Sequence, residues 1–154
     1  METPTPEQLA DIAVQTVRKA RQMGHEPRVA MISYSNFGNP SNERADRVRE
    51  AVSILDARKV DFDYDGEMAA DVALDPELLS HFPFCRLKGP ANVLVMPGLY
   101  SATIASKLLQ KLGGVSVIGP ILVGLSKPVQ ITSMDATAND IVNMAVLACH
   151  DALA

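Results

Sequence analysis

"EPRVAMISYSNFGNPSNERADRVREAVSIL", Glu26 to Leu55, decides the fold. Its first part, "RVAMIS", is a short apolar run of strand type. The run empties into a polar loop, "YSNFGNPSNE", and helical spacing then takes over. Ser41 is placed to cap that helix, and Val48, Ala51, Val52 and Leu55 fall on one face. Strand, loop and helix in direct succession are the repeating unit of an α/β protein.

The same alternation continues on both sides. Upstream, Thr5, Pro6 and Gln8 supply an N-cap, a first-turn proline and a capping-box partner. Leu9, Ile12, Ala13, Val17 and Ala20 follow at helical spacing, and Gly24 is a natural stop. Downstream, "VDFDYD" (60–65) alternates as a strand, and "ANVLVMPG" (91–98) is a nearly continuous apolar run of the kind covered on both faces. "SATIASKLLQKLGG" (101–114) reads as a helix ending at Gly113. "VSVIGPILVGLSKPVQIT" (115–132) reads as one or two strands, and "ATANDIVNMAVLACHDALA" (136–154) as the last helix. The pattern predicts an α/β sandwich with a largely parallel sheet. Ligands of such sheets bind beyond the carboxyl ends of the strands. Here those turns are "SYSNFGNPSN", "MPGLYSAT" and "TSMDATAND".

The 154 residues favour one domain, 47% of them hydrophobic and 21% charged, an ordinary folded composition. The net charge of −4 argues against nucleic acid as a partner, because phosphate binding needs a basic face. No apolar stretch approaches the ~20 residues of a membrane span, so no membrane partner is expected. The N-terminus lacks the basic and apolar regions of a secretory signal. Cys85 and Cys149 lie in separate segments without CxxC spacing, as expected of reduced, buried thiols in the cytoplasm.

Few motifs carry chemistry on their own. "DFDYDG" (61–66) begins like a calcium loop, but its twelfth position is Val72 where a bidentate Glu belongs. His25, His81 and His150 show no zinc spacing, so no metal is expected. "MPGLYSATIA" sets Gly98 and Ser101 before a helix, a geometry for phosphate on backbone N–H groups or an ordinary turn with an N-cap. "KPVQITSMDATANDIV" (127–142) holds Ser133 and Asp140. "TAND" (137–140) is itself a capping-box sequence, which accounts for Asp140 without any chemistry.

In "EQLADIAVQT", "EPRVAMISYSNFG", "DGEMAADVAL", "ANVLVMP", "IASKLLQKLGG", "GPILVGLSKPV" and "DIVNMAV", the chain resembles the phosphate acetyl/butyryltransferase family over nearly its whole length. The resemblance covers the C-terminal half of that family's domain. It implies a three-layer α/β/α sandwich with a largely parallel, mixed sheet of the isocitrate/isopropylmalate dehydrogenase type. It divides the single domain 1–154 into a second subdomain, about 5–130, and a C-terminal strand and helix, about 131–154. "SYSNFG" and "FPFCRLKGPANVLVMPG" look most like the transacetylase-like region of multimodular NADP-dependent malic enzymes, which implies acetyl-CoA binding as regulation and a homo-oligomer, a dimer by expectation.

Family members transfer an acetyl group between CoA and phosphate, using a Ser followed directly by an Arg and then an Asp. By position that Ser falls on Ser133 and the Asp on Asp140, but the Arg position is Met134. A second family loop carries a lysine where this chain has Phe37, within Ser35, Asn36, Phe37, Gly38. Two cations are thus missing where phosphate chemistry needs fixed donors. The expected ligand is acetyl-CoA or CoA, with no resident cofactor. Its contacts are expected from Ser35, Asn36, Gly38, Ser101, Ser133, Asp140 and Asn143, with Arg86 and Lys88 of "CRLKGP" as the cations nearest in sequence. An active phosphate acyltransferase is the alternative reading.

Overall fold

The computed structural model describes residues 2–114 and 117–153. They fall into two compact units, Met1–Ala105 and Ser106–Ala154.

In the first unit, α1 (Pro6–Gln22) starts at a complete capping box between Thr5 and Gln8. It ends at Met23, followed by Gly24 with a φ of +82°, which the missing Cβ permits. β1 (Arg28–Ile32) follows, then α2 (Glu43–Arg58), β2 (Asp63–Met68), the short α3 (Ala70–Leu74) and α4 (Pro76–Ser80), and β3 (Val93–Val95). The strands form a parallel sheet in the order β2-β1-β3.

Because side chains alternate along a strand, central β1 feeds two cores. Val29 and Met31 join Leu9, Ala13 and Val17 of α1 with Val48, Val52 and Leu55 of α2. Ala30 and Ile32 join Met68, Val72 and Leu79 on the opposite side. A sheet with helices on both faces is the expected α/β/α arrangement. Leu9 and Leu55 are fully buried, so truncating either to Ala costs about 2–5 kcal/mol.

Several local expectations are corrected. Asn42, not Ser41, caps α2, its side chain accepting from the Arg44 N–H. β2 starts at Asp63 and continues to Met68, with its last four residues buried on both faces. β3 is only three residues long and among the described residues pairs with β1 alone, and Leu94 is exposed. α5 (Leu99–Leu112) begins before Ser101, which therefore lies inside the first turn rather than capping it. Its hydroxyl donates to the Gly98 carbonyl.

In the second unit, α6 (Ala138–Leu153) follows the "TAND" capping box. The described residues between 117 and 132 contain no strand, against expectation. Pro120 and Pro128 lack the N–H a ladder needs, and apolar character alone does not supply a pairing partner. Val115 and Ser116, part of the same expected strand, lie outside the described residues. Among the described residues no helix is long and apolar enough to cross a membrane.

Candidate functional site

The loop after β1 is organised by a side chain from β2. Met31 pairs with Gly66 and Ile32 with Met68, which leaves Glu67 as the extra residue of a bulge. Gly66 has a φ of +146°, and a Cβ there would lie 2.6 Å from the Met31 carbonyl oxygen, so only glycine fits. The Glu67 carboxylate is fully buried. Its Oε1 accepts from the Ser35 hydroxyl at 2.8 Å and the Gly38 N–H at 2.7 Å, and its Oε2 accepts from Arg49 Nε at 3.1 Å. The Glu67 carbonyl also accepts from the Phe37 N–H at 2.8 Å. Burial pushes this carboxyl up, but the bonds from Arg49, Gly38 and Ser35 outweigh it, and its pKa lies below the ordinary value. Glu67 is ionised and fixes the loop.

Ser35 and Gly38 are thus brought together on one carboxylate. Asn36 is held separately, its Oδ1 accepting from the Ala69 N–H. Phe37 adopts a φ of +50° and joins Phe82 and Phe84, with ring centroids 5.2 and 5.0 Å away. An aromatic cluster therefore stands at the position where the resemblance expects a lysine.

Arg86 and Lys88 are already paired. Arg86 bonds Asp56 and the nearly buried Asp65, lies 4.7 Å over the Tyr64 ring, and has its pKa raised: burial opposes the shift, and the two carboxylates outweigh it. Burial, then the hydrogen bond to Asp56, pushes Tyr64 up to about 12. Lys88 bonds Asp63, the first residue of β2, which places it at the amino edge of the sheet, away from the loops that follow β1 and β3. The aspartates of "DFDYDG" are distributed among cations, Asp61 on Arg21, Asp63 on Lys88 and Asp65 on Arg86. Among the described residues no group of three metal-ligating side chains is gathered. Cys85 is half-buried with its thiol pushed up by burial, whereas Cys149 is exposed, which corrects the expectation of two buried thiols.

In the second unit, Ser133, Asp140 and Asn143 line one cavity of about 70 Å³, with Gln110, Thr132 and Met144 in its wall. That exceeds the ~10–15 Å³ of such space that a single water needs, so the cavity admits a small polar group. Asp140 is also the capping residue, its Oδ2 accepting from the Thr137 hydroxyl at 2.7 Å and the Thr137 N–H at 2.9 Å. These bonds hold its pKa below the usual carboxylate range. Asp135 is likewise lowered, first by the Ser133 hydroxyl, and further by Lys111 and Lys107 through space. Met134, where the resemblance expects an arginine, is fully exposed.

Sequence reasoning missed Glu67. The available signal was an acidic residue between Gly66 and Met68 in a strand with both faces covered, where an unpaired charge is not tolerated.

The family model for phosphate acetyl/butaryl transferase matches residues 1–149. An NADP-dependent malic enzyme of Rhizobium meliloti is 60% identical over 97% of this chain, which spans 20% of that protein. A phosphate acetyltransferase of Treponema pallidum is 44% identical over 91% of this chain, which spans 43% of that protein. A phosphotransacetylase structure from Streptococcus pyogenes superposes with a TM-score of 0.93 at 38% identity, covering 99% of this chain and 46% of the other. The chain therefore spans less than half the length of these relatives.

Proposed function

Because the chain belongs to the phosphate acetyl/butaryl transferase family, we propose that it is an acyl-CoA-binding module without the phosphate step of its relatives. The observation that carries this reading is the cavity around Ser133. Its wall offers two hydroxyls, two amides and an ionised carboxylate, and none of its described lining residues is a cation. Phosphate attack on a thioester brings a dianion to the carbonyl and builds charge on its oxygen. Fixed cationic donors must meet both, and losing one costs on the order of 10²–10³ in rate. Met134 supplies no donor, and Asp140 would repel the dianion. Lys107 and Lys111 act on Asp135 and lie outside the cavity wall.

Ser133 and Asn143 suit an acyl-thioester, a neutral group that needs hydrogen bonds rather than charge. The ligand is acetyl-CoA or a related acyl-CoA, and the setting is the regulatory, self-associating region of a cytoplasmic NADP-dependent malic enzyme; the high identity to the Rhizobium meliloti protein supports that setting. Titration of acetyl-CoA into this chain should give saturable binding that weakens in Ser133→Ala and Asn143→Ala. A coupled assay with phosphate should release no CoA.

The second reading, part of an active phosphate acyltransferase, is favoured by the gathering of Ser133, Asp140 and Asn143 in one cavity. Phosphate-dependent CoA release that disappears in Ser133→Ala would establish it and overturn the first.

A further inference from the structure

One face of α6 carries the cavity around Ser133 from polar to apolar. Asp140, Asn143 and Met144 all line it, and the spacing i, i+3, i+4 sets them on the same side of the helix. Asp140 lies one turn before Met144, about 6 Å along the axis at ~1.5 Å per residue. This wall therefore runs from an ionised carboxylate, past an amide, to a thioether. Ile118 and Ile131 also contribute to the lining, so Met144 has apolar company there.

Met144 differs from the rest of its helix. It is only 5% exposed and is the one buried residue of α6, whereas Ile141, Val142 and Val146 are each more than half exposed. An unbranched, adaptable side chain of this kind fills irregular space. At about 70 Å³ the cavity lies well below the ~300–1,000 Å³ of pockets that enclose a whole ligand. It has room for the end of a ligand, and Met144 stands where that end stops.

We propose that Met144 closes the cavity against acyl chains longer than acetyl, and so sets the acyl length that the chain accepts. The inference rests on the acyl-CoA reading above and adds a specificity-determining residue to it. With the thioester carbonyl held at Ser133 and Asn143, the acetyl methyl lies against the Met144 side chain. Each further methylene must displace that side chain. One methylene in an apolar pocket changes discrimination by roughly 10–200-fold.

The test is calorimetric titration of this chain with CoA, acetyl-CoA, propionyl-CoA and butyryl-CoA. CoA alone gives the baseline, so the ratio to it isolates the acyl end. In wild type, acetyl-CoA should bind about tenfold or more tightly than butyryl-CoA, with propionyl-CoA between them. Met144→Ala should tighten butyryl-CoA by about tenfold or more and leave CoA unchanged. Met144→Leu, which keeps the volume, should preserve the wild-type order. If the melting curve shows that Met144→Ala does not fold, Met144→Val shortens the same side chain and carries the test. Equal affinities for acetyl-CoA and butyryl-CoA in wild type overturn the assignment of Met144 and leave the acyl-CoA reading standing. So does an unchanged ratio in the shortened variant, or equal weakening of all four ligands, which marks a structural role alone. Absence of acetyl-CoA binding overturns both.

Discussion

The Glu67 carboxylate accepts four bonds while fully buried, one each from Ser35 and Gly38 and two from Arg49, so the loop from Ser33 to Asn39 depends on its charge. Glu67→Gln should cost about 3 kcal/mol, the low end for breaking a buried pair, because Arg49 keeps Asp46. Urea midpoints of the two proteins measure this. The pH dependence has a definite sign. A carboxyl whose folded pKa is depressed contributes fully above the ordinary value of 4.5 and loses that contribution as pH falls through the folded pKa. Wild-type stability should therefore drop on acidification below about pH 4.5, and Glu67→Gln should drop less. Arg86 is the contrasting case. It was legible only as a cation in a loop, and the fold places it on Asp56 and Asp65. Arg86→Ala should cost about 1–2 kcal/mol, discounted because the side chain is half-exposed. Acetyl-CoA affinity should not change; a tenfold weakening without loss of stability would return Arg86 to the ligand site.

At the scale of elements, the starts of α1 and α6 were legible, whereas those of α2 and α5 were displaced by one or two residues. The capping boxes at Thr5 and Thr137 depend only on residues three apart, so the local sequence specifies them. Thr137→Ala should destabilise the start of α6 by about 1 kcal/mol, seen as faster amide exchange at Asn139 to Ile141 while β1 and β2 are unaffected. The bulge between β1 and β2 was not legible, because it arises from pairing between residues far apart in the chain. Gly66→Ala tests it: the added Cβ meets the Met31 carbonyl oxygen at 2.6 Å on a backbone with positive φ. Roughly 3 kcal/mol or more should be lost, and thermal unfolding that matches wild type would contradict the bulge geometry. The strand expected within 115–132 failed for a related reason. Its apolar residues fit a strand, but a strand exists only with a partner, and periodicity does not report one.

For the whole molecule, exposed apolar side chains set the expectation. α5 has no buried residue and leaves Leu99, Ile104, Leu108, Leu109 and Leu112 exposed, while α6 buries only Met144. Exposed apolar residues in such number fit the self-association proposed above. Light scattering should report self-association that weakens in Leu108→Ser with Leu112→Ser, and a monomer at high protein concentration would refute it.

The sequence by itself determined the α/β class, the cores of α1 and α2, both capping boxes and the family, because these rest on local periodicity and on residue identities in order. The expectation that Met134 and Phe37 stand in place of family cations rests on the resemblance, not on any local pattern. Only the tertiary structure decided which charges are neutralised. Glu67 lies on Ser35 and Arg49, Arg86 on two aspartates, and Arg47 has an unanswered buried donor. Charge pairing depends on distances between segments separated by tens of residues, and no local pattern encodes those distances.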